Sequence, residues 1–284
     1  MTANIIDGKR IAQTIREELR DSISQLVEAG HRQPCLAVVL VGDDPASHVY
    51  VSHKKKACQA VGIASRSIEL PADTSQEALN EHLKSLNSDA DVDGILLQLP
   101  LPKHLSPDES IDLIHPEKDV DGLTPYNQGL LVWRRPHLVS CTPAGIMELL
   151  NRSQVELLSK EAVVLGRSVL VGAPIATLLS NAGATVQSLH SKSLDTAEHC
   201  RRADVLVVAT GVRHLVKKEW IKPGAVVIDV GIHRGETGLE GDVDFDGAKD
   251  VAGAITPVPG GVGPMTIAML LKNCFLAYKD RMGR

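Results

Sequence analysis

A serine, a tyrosine and a lysine in the segment PASHVYVSHKKK have a spacing that could bring their side chains together in a reactive site. Ser47, Tyr50 and Lys54 are three and four residues apart, which places their side chains on one face of a helix. A phenol beside an amine can orient a substrate and exchange protons with it. The alternative is a solvated helix face, because His53 and the lysines at 54–56 form a basic run. The spacing alone leaves both interpretations open.

Two further polar residues lie where a ligand could reach them. Gln98 follows the apolar residues of GILLQLP, and parallel sheets present ligand-contacting groups at the carboxyl ends of their strands. Asp121 lies in the turn HPEKDVDG with Glu117 and Asp119, where a carboxylate can bind a polar heterocycle or simply close the loop. A single glutamine is a weak signal, and loop closure is the simpler interpretation of the aspartates.

The segment VVLGRSVLVGAP indicates a dinucleotide site. Gly166 ends an apolar strand, and Gly172 precedes a helix that starts near Pro174. A helix N-terminus after a glycine turn is a ready site for phosphate. The glycine spacing differs from G-x-G-x-x-G, so the prediction depends on the strand before and the helix after. A turn that binds no phosphate is the alternative.

The end of the next strand indicates which dinucleotide is preferred. A site for NAD normally has Asp or Glu there to bind the ribose 2′-hydroxyl, whereas this chain has His190, Ser191 and Lys192. Arg167 directly follows the first glycine and can bind a 2′-phosphate. The sequence therefore favours NADP.

The loop ITPVPGGVGPMT at 255–266 has three glycines and three prolines before a helix. Such a loop allows close backbone approach to a flat ligand, although a turn between domains is the alternative. The chain has no G-x-S-x-G, G-x-x-x-x-G-K-[ST] or H-E-x-x-H motif. Serine hydrolase, nucleoside triphosphatase and zinc protease functions therefore lose support, and we expect no metal site.

Strands and helices alternate along the chain, which predicts an α/β fold with parallel sheets. Strands are expected at 36–42, 67–70, 94–100, 162–166, 184–190, 205–211 and 225–231, and helices at about 7–30, 45–61, 75–86, from 142, 173–182, 194–202 and 264–280. Residues 115–145 lack a long periodic run and are predicted to be an active-site loop and linker. We expect two α/β domains flanking a cleft, the second a Rossmann-like doubly wound parallel sheet.

Composition narrows the function classes further. The 284 residues are 43% hydrophobic and 23% charged, which is typical of globular proteins. The net charge of -5 and only seven scattered aromatic residues argue against nucleic-acid binding. The five cysteines have no C-x-x-C spacing and are interpreted as reduced thiols. We find no apolar signal segment or membrane span, so a cytoplasmic protein without membrane partners is expected.

Several motifs together resemble one known enzyme family. They are YVSHKKKAC, GILLQLPLP, EKDVDGLTPYNQG, CTPAGIMELL, VVLGRSVLVGAP, WIKPGAVVIDVGI and ITPVPGGVGPMT. In this order and over almost the whole chain, they resemble the bifunctional methylenetetrahydrofolate dehydrogenase and methenyltetrahydrofolate cyclohydrolase family.

The resemblance implies a two-step reaction of one-carbon metabolism. Methylenetetrahydrofolate would be oxidised with NADP, and the methenyl product would be hydrolysed to 10-formyltetrahydrofolate. It implies a folate-binding catalytic domain at 1–143, completed by the C-terminal helix at 266–284, and an NADP-binding domain at 144–265. A small-molecule substrate, a homodimer and a link to purine biosynthesis are also implied.

The resemblance also implies the site residues. Those assigned to catalysis are Lys54, Tyr50, Gln98 and Asp121. Those assigned to substrate binding are Tyr50, Ser47, Asp121, Pro259, Gly260 and Gly261. Those assigned to the cofactor are Gly166, Arg167, Ser168, Ser191, Thr210, Gly211 and Ile232. The lysine would act as base or proton shuttle for water, which requires a pKa below about 10.4.

Two alternatives to the bifunctional enzyme stay open at this point. A dehydrogenase without cyclohydrolase activity would share the NADP site, and a catalytically silent folate or nucleotide binding protein would share the fold. The segment GIHR at 231–234 departs from the GIN that is common in the family and places His233 near the nucleotide.

Overall fold

The computed structural model describes residues 2–236 and 238–283, apart from the side chain of Ala46. The strands are β1 (Asn4–Ile5), β2 (Cys35–Val41), β3 (Ala64–Leu70), β4 (Gly94–Leu97), β5 (Glu161–Leu165), β6 (Thr185–Leu189), β7 (Val205–Val208), β8 (Val226–Asp229), β9 (His233–Arg234), β10 (Leu239–Glu240) and β11 (Ala254–Ile255). The helices are α1 (Gly8–Glu28), α2 (Pro45–Val61), α3 (Gln76–Ser88), α4 (Pro107–Leu113), α5 (Pro125–Val132), α6 (Cys141–Arg152), α7 (Gly172–Asn181), α8 (Thr196–Cys200), α9 (Phe245–Ala248) and α10 (Val262–Met282), with a 3-10 turn at Lys218–Trp220.

One compact unit consists of residues 14–141 and 267–284. Its sheet has three parallel strands in the order β3-β2-β4. All seven residues of the central strand β2 are buried because the sequence CLAVVLV is apolar on both faces, as a covered parallel strand requires. The core beneath this sheet includes Leu79 and Leu83 of α3. Gln98 directly follows β4 and therefore lies at the carboxyl edge of the sheet.

The second unit consists of residues 1–13 and 142–266. Its six-stranded sheet has the order β1-β11-β8-β7-β5-β6, and all neighbouring strands in it are parallel. The antiparallel pair β9 and β10 forms a separate ribbon. Because β5 pairs with β6 on one side and β7 on the other, the chain reverses direction across the sheet there. The prediction of two α/β units, one of them Rossmann-like, is confirmed.

Strand β1 pairs with β11, so residues 1–13 group with 142–266 rather than with the residues that follow them. The functional boundary at residue 143 stays a prediction, whereas the compact units interleave along the chain.

Several element bounds differ from the sequence-based prediction. The strand expected at 94–100 ends at Leu97, shortly before Pro100, which has no backbone N–H to donate to a neighbouring strand. The loop expected at 115–145 contains the short helix α5, which Thr124 caps by accepting from Asn127 N. Helix α6 begins at Cys141, one residue before the expected cap. Within the described chain, no helix has the length and apolar character that a membrane crossing needs.

Candidate active site

Helix α2 carries Ser47, Tyr50 and Lys54, and a side-chain cap fixes its first turn. Asp44 Oδ2 accepts hydrogen bonds from Ser47 N at 2.8 Å and from Ser47 Oγ at 2.7 Å. Ser47 is 2% exposed, so its hydroxyl belongs to the helix cap. Tyr50, one turn before Lys54, is half exposed, which leaves its phenol accessible to a ligand.

Lys54 and Gln98 meet at the carboxyl edge of the three-stranded sheet. Lys54 Nζ donates to Gln98 Oε1 at 2.8 Å. The glutamine is held by both its backbone and its side chain. Its backbone N donates to Val39 O at 2.8 Å, and its Nε2 donates to Leu99 O at 2.6 Å. With the amide nitrogen already used, the amide oxygen faces the lysine.

Burial determines the electrostatics of this cluster. Burial lowers the pKa of the Lys54 amine below its ordinary value, although the nearby Asp121 opposes that change. Burial also raises the pKa of the Asp121 carboxyl, and Lys54 opposes that change in turn. Both groups are therefore displaced toward their neutral forms. A lysine with a lowered pKa can accept a proton from water, as a general base must.

The turn that carries Asp121 is organised by Asp119. The Asp119 carboxylate accepts hydrogen bonds from Leu123 N at 3.1 Å, Thr124 N at 2.8 Å and Asn127 Nδ2 at 2.9 Å. Asp119 is 1% exposed and closes the loop, which is the structural interpretation that the sequence offered for this acidic run. The neighbouring Asp121 is close enough to Lys54 for their charges to interact.

A cysteine that sequence analysis treated only as a reduced thiol belongs to this cluster. Cys141 at the start of α6 donates to Val120 O at 3.3 Å and contacts the Asp121 carboxyl. Burial raises its pKa well above 9, so the thiol stays protonated. Asn273 of α10 supports the same segment by donating to Val120 O at 2.9 Å and Val139 O at 2.8 Å. Cys141 lies 20 positions after Asp121 in the sequence, and no spacing rule links the two residues.

The unit with the six-stranded sheet contains a cavity of about 560 Å³ at the point where the strand order reverses. Ligands bind at such switch points in doubly wound folds. Gly166 has φ 109°, and a Cβ there would lie 2.1 Å from Ala209 O. The described residues that line the cavity are Leu165, Gly166, Arg167, Ser168, Leu189, His190, Ser191, Thr196, Ala209, Thr210, Val212, Leu215 and Trp220.

One part of this cavity has the polar groups that a 2′-phosphate requires. Arg167 after β5 and Ser191 after β6 both line it, and none of the described lining residues carries a carboxylate. Ser168 Oγ accepts from Val171 N at 3.2 Å and so also stabilises the turn before α7. The residues present therefore fit a dinucleotide with a 2′-phosphate.

A second, smaller cavity of about 160 Å³ gathers the proline and glycine loop. Ile232 and the predicted substrate residues Pro259, Gly260 and Gly261 line it together. Lys9 N donates to Gly260 O at 2.9 Å, and a Cβ on Gly8 would lie 1.9 Å from Gly261 O. The close approach of the two backbones thus requires glycine at position 8. Among the predicted cofactor residues, Thr210 lines the larger cavity, and Gly211 is the next residue in the chain.

These features define a class: a dinucleotide-dependent α/β enzyme with a separate amine and amide pair suited to proton transfer. The match to family models is more specific. Residues 6–121 match the tetrahydrofolate dehydrogenase/cyclohydrolase catalytic domain, and residues 140–282 match the NAD(P)-binding domain of the same family. The chain belongs to the tetrahydrofolate dehydrogenase/cyclohydrolase family, which confirms the resemblance.

Individual relatives cover 98% or more of the chain. A protein named Bifunctional protein FolD, from Agathobacter rectalis, is 50% identical over 278 residues, covering 98% of this chain and 99% of the relative. The crystal structure of the bifunctional FolD methylenetetrahydrofolate dehydrogenase/cyclohydrolase from Campylobacter jejuni has a TM-score of 0.96 and 45% identity, covering 98% of this chain and 99% of that one. The Trypanosoma brucei FolD, solved with NADP cofactor and inhibitor, has a TM-score of 0.95 and 42% identity over 100% of both chains.

Proposed function

We propose that this protein oxidises 5,10-methylenetetrahydrofolate to 5,10-methenyltetrahydrofolate with NADP and then hydrolyses the product to 10-formyltetrahydrofolate. Membership of the family supports an enzyme with both activities. The single observation that carries the hydrolytic step is the 2.8 Å contact between Lys54 Nζ and Gln98 Oε1, with the lysine pKa lowered by burial.

In the oxidation, the chain's own residues bind and orient. NADP, when bound, supplies a hydride acceptor at C4 of its nicotinamide. Arg167 and Ser191 hold the 2′-phosphate, and the glycine turn at Gly166 lets the backbone approach the phosphates. The substrate nitrogen lone pair expels the hydride from the methylene carbon, so this step needs no protein base. Asp121 accepts hydrogen bonds from the N–H groups of the pterin.

In the hydrolysis, Lys54 moves the proton. Water forms a C–O bond to the methenyl carbon as one of its protons passes to the neutral Lys54 Nζ. The bond between that carbon and N5 then breaks, the hydroxyl oxygen becomes the formyl oxygen, and its proton ends on N5. Gln98 Oε1 fixes the direction of the amine lone pair by occupying one N–H of Nζ. Tyr50 is accessible on the same helix and contacts the folate.

The remaining assignments extend this function. Pro259, Gly260 and Gly261 contact the substrate, and Thr210, Gly211 and Ile232 contact the cofactor, as their places around the two cavities support. Ser47, assigned to substrate binding, also caps α2 through its bond to Asp44. We infer a cytoplasmic homodimer that supplies formyl groups for purine biosynthesis and has no nucleic-acid or membrane partner. The net charge of -5 supports the inference that the protein does not bind nucleic acid.

An absorbance assay tests the function directly. Purified protein is mixed with methylenetetrahydrofolate and either NADP or NAD, and hydrolysis of added methenyltetrahydrofolate is followed separately. We expect reduction of NADP and hydrolysis above the uncatalysed rate. Reduction without hydrolysis would identify a monofunctional dehydrogenase, and neither activity would leave a binding protein. Size-exclusion chromatography with light scattering tests the dimer.

A further inference from the structure

The Asp242 carboxylate organises the loop that follows β7. Its Oδ2 accepts hydrogen bonds from Thr210 N at 2.6 Å, Thr210 Oγ1 at 2.9 Å and Gly211 N at 2.9 Å. Asp242 is fully buried, and an unpaired buried carboxylate oxygen is costly. The second oxygen of this carboxylate therefore also needs a donor.

His233 provides that donor from the segment after β8. Its Nε2 lies 2.7 Å from Asp242 Oδ1, and because a carboxylate oxygen accepts, the imidazole N–H donates. The imidazole is 22% exposed while the carboxylate is 0% exposed, so the histidine lies between Asp242 and the solvent. A Cβ on Gly231 would lie 2.2 Å from the same Oδ1, which shows how closely this segment approaches Asp242.

Asp242 therefore joins the linings of two cavities. Thr210, which bonds Oδ2, lines the larger cavity that contains Arg167. Ile232, the residue directly before His233, lines the smaller cavity with Pro259. The two oxygens of one carboxylate thus connect one loop from each cavity.

A second buried carboxylate, that of Asp229, lies next to Asp242. Asp229 is 3% exposed, and its oxygens accept from Gly231 N at 3.0 Å, Asp242 N at 2.9 Å and Val243 N at 2.9 Å. Burial raises the pKa of Asp229 to about 6. Other charged groups near His233 are Glu240, its cross-strand partner in β10, and the adjacent Arg234; Glu240 itself pairs with Arg213 and His214. The imidazole thus donates to Oδ1 of Asp242, whereas the Thr210 hydroxyl donates to Oδ2.

We propose that His233 is a positioning residue for the dinucleotide and acts through Asp242. The Asp242 carboxylate holds the Thr210–Gly211 loop and the Gly231–Ile232 segment at a fixed distance from each other. One ligand that extends over both cavities requires that distance. This inference rests on the proposed function, because it needs NADP as the ligand. His233 stands in the segment GIHR at 231–234, directly after Ile232.

The experiment compares three variants with wild type. His233→Leu keeps bulk but removes the N–H donor, and His233→Gln keeps an N–H near the position of Nε2. His199→Ala is the matched control, because it removes another half-buried histidine of the same unit, one that bonds Gln187 Oε1 at 2.7 Å. Kd values are measured by NADPH fluorescence, directly for NADPH and by displacement of NADPH for adenosine 2′,5′-bisphosphate, which keeps the adenosine with its 2′- and 5′-phosphates but lacks the nicotinamide half. Thermal unfolding is followed in parallel.

We expect His233→Leu to weaken NADPH binding about tenfold, as loss of a charge-assisted hydrogen bond predicts, and to change fragment binding less than about twofold. His233→Gln should restore NADPH binding to within about threefold of wild type, and His199→Ala should match wild type for both ligands. Unchanged NADPH binding in His233→Leu, or equal losses for NADPH and the fragment, would overturn the inference even if Tm falls. If wild type bound neither ligand, the proposed function itself would be overturned.

Discussion

Gln98 is the fixed partner of Lys54. Its amide oxygen accepts from Lys54 Nζ at 2.8 Å, while its amide nitrogen donates to Leu99 O at 2.6 Å. Rotation of the amide would break both bonds, so the side chain is held in one orientation. An uncharged acceptor fixes the amine without stabilising its protonated form as a carboxylate would.

Replacing the lysine should separate the two reactions. We expect Lys54→Met to reduce methenyltetrahydrofolate hydrolysis at least about 100-fold, because the general base is lost, while NADP-dependent oxidation stays within about tenfold of wild type. Lys55→Met, at an exposed neighbour on the same helix, is the control and should leave both rates unchanged. Full hydrolysis by a folded Lys54→Met protein would contradict the assigned role.

The pH dependence of hydrolysis should depend on residue 98. Because the neutral amine is the active form and burial lowers its pKa, wild-type hydrolysis should rise with pH through a value below 10.5. Gln98→Glu places a carboxylate beside the amine, which raises the Lys54 pKa and should move the profile upward by about 1 pH unit or more.

The comparison for this profile is Gln98→Met, which removes the hydrogen bond without adding charge. It should lower the rate but not move the profile upward. Rates are corrected for uncatalysed hydrolysis at each pH. Identical profiles for wild type and Gln98→Glu would show that Lys54 is not the group that titrates.

Cofactor preference should depend on Arg167. We expect Arg167→Ala to raise the KM for NADP about 10- to 100-fold, because a charge-assisted contact to the 2′-phosphate is lost, and to leave the KM for NAD within about threefold. Arg202→Ala, at an exposed arginine of the same unit that pairs with Glu161, is the control. A similar change in both KM values would argue against recognition of the 2′-phosphate.

Stability should rise at alkaline pH because of Lys118. This lysine is 6% exposed and its Nζ donates to Leu86 O at 2.9 Å and Asp89 O at 2.7 Å, yet burial lowers its pKa to about 8. Between about pH 8 and 10.5 the unfolded chain binds more protons than the folded chain, so the free energy of unfolding rises with pH in that range.

The gain should be on the order of 1–3 kcal/mol and should be absent from Lys118→Met. Urea unfolding of both proteins at pH 7.5 and at pH 10 measures it, and the difference between the two pH changes isolates Lys118 from other titrating groups. Parallel pH dependence in the two proteins would show that this lysine titrates alike in both states.

The sequence predicted those elements whose residues are long apolar or periodic runs. Strand β2 and helix α2 are close to their expected bounds, since CLAVVLV is apolar throughout and Pro45 opens the helix. The two-residue strands β9 and β11 are too short to leave a pattern of period two. Helix α5 is only eight residues long and begins with the residues PYNQG, which have no apolar periodicity and are typical of a loop.

The site shows a similar division. Local spacing put Lys54 on a helix and Gln98 at a strand end, and the resemblance linked them to Asp121. Contacts that depend on distant parts of the chain left no local signal, as with Cys141 beside Asp121. The spacing of Ser47 to Lys54 predicts a shared helix face but not the cap, for which Asp44, three residues earlier, supplies the partner of Ser47.

The pairing of β1 with β11 has a consequence for synthesis and for domain excision. Asn4 and Ile5 pair with Ala254 and Ile255, so the ribosome releases one partner about 250 residues before the other. During translation, the first strand of this sheet must wait for nearly the whole chain. An excised fragment of residues 142–266 would likewise leave β11 as an open edge that can recruit another chain. A soluble nucleotide-binding module cut from this protein should therefore carry residues 1–13 joined to it through a linker.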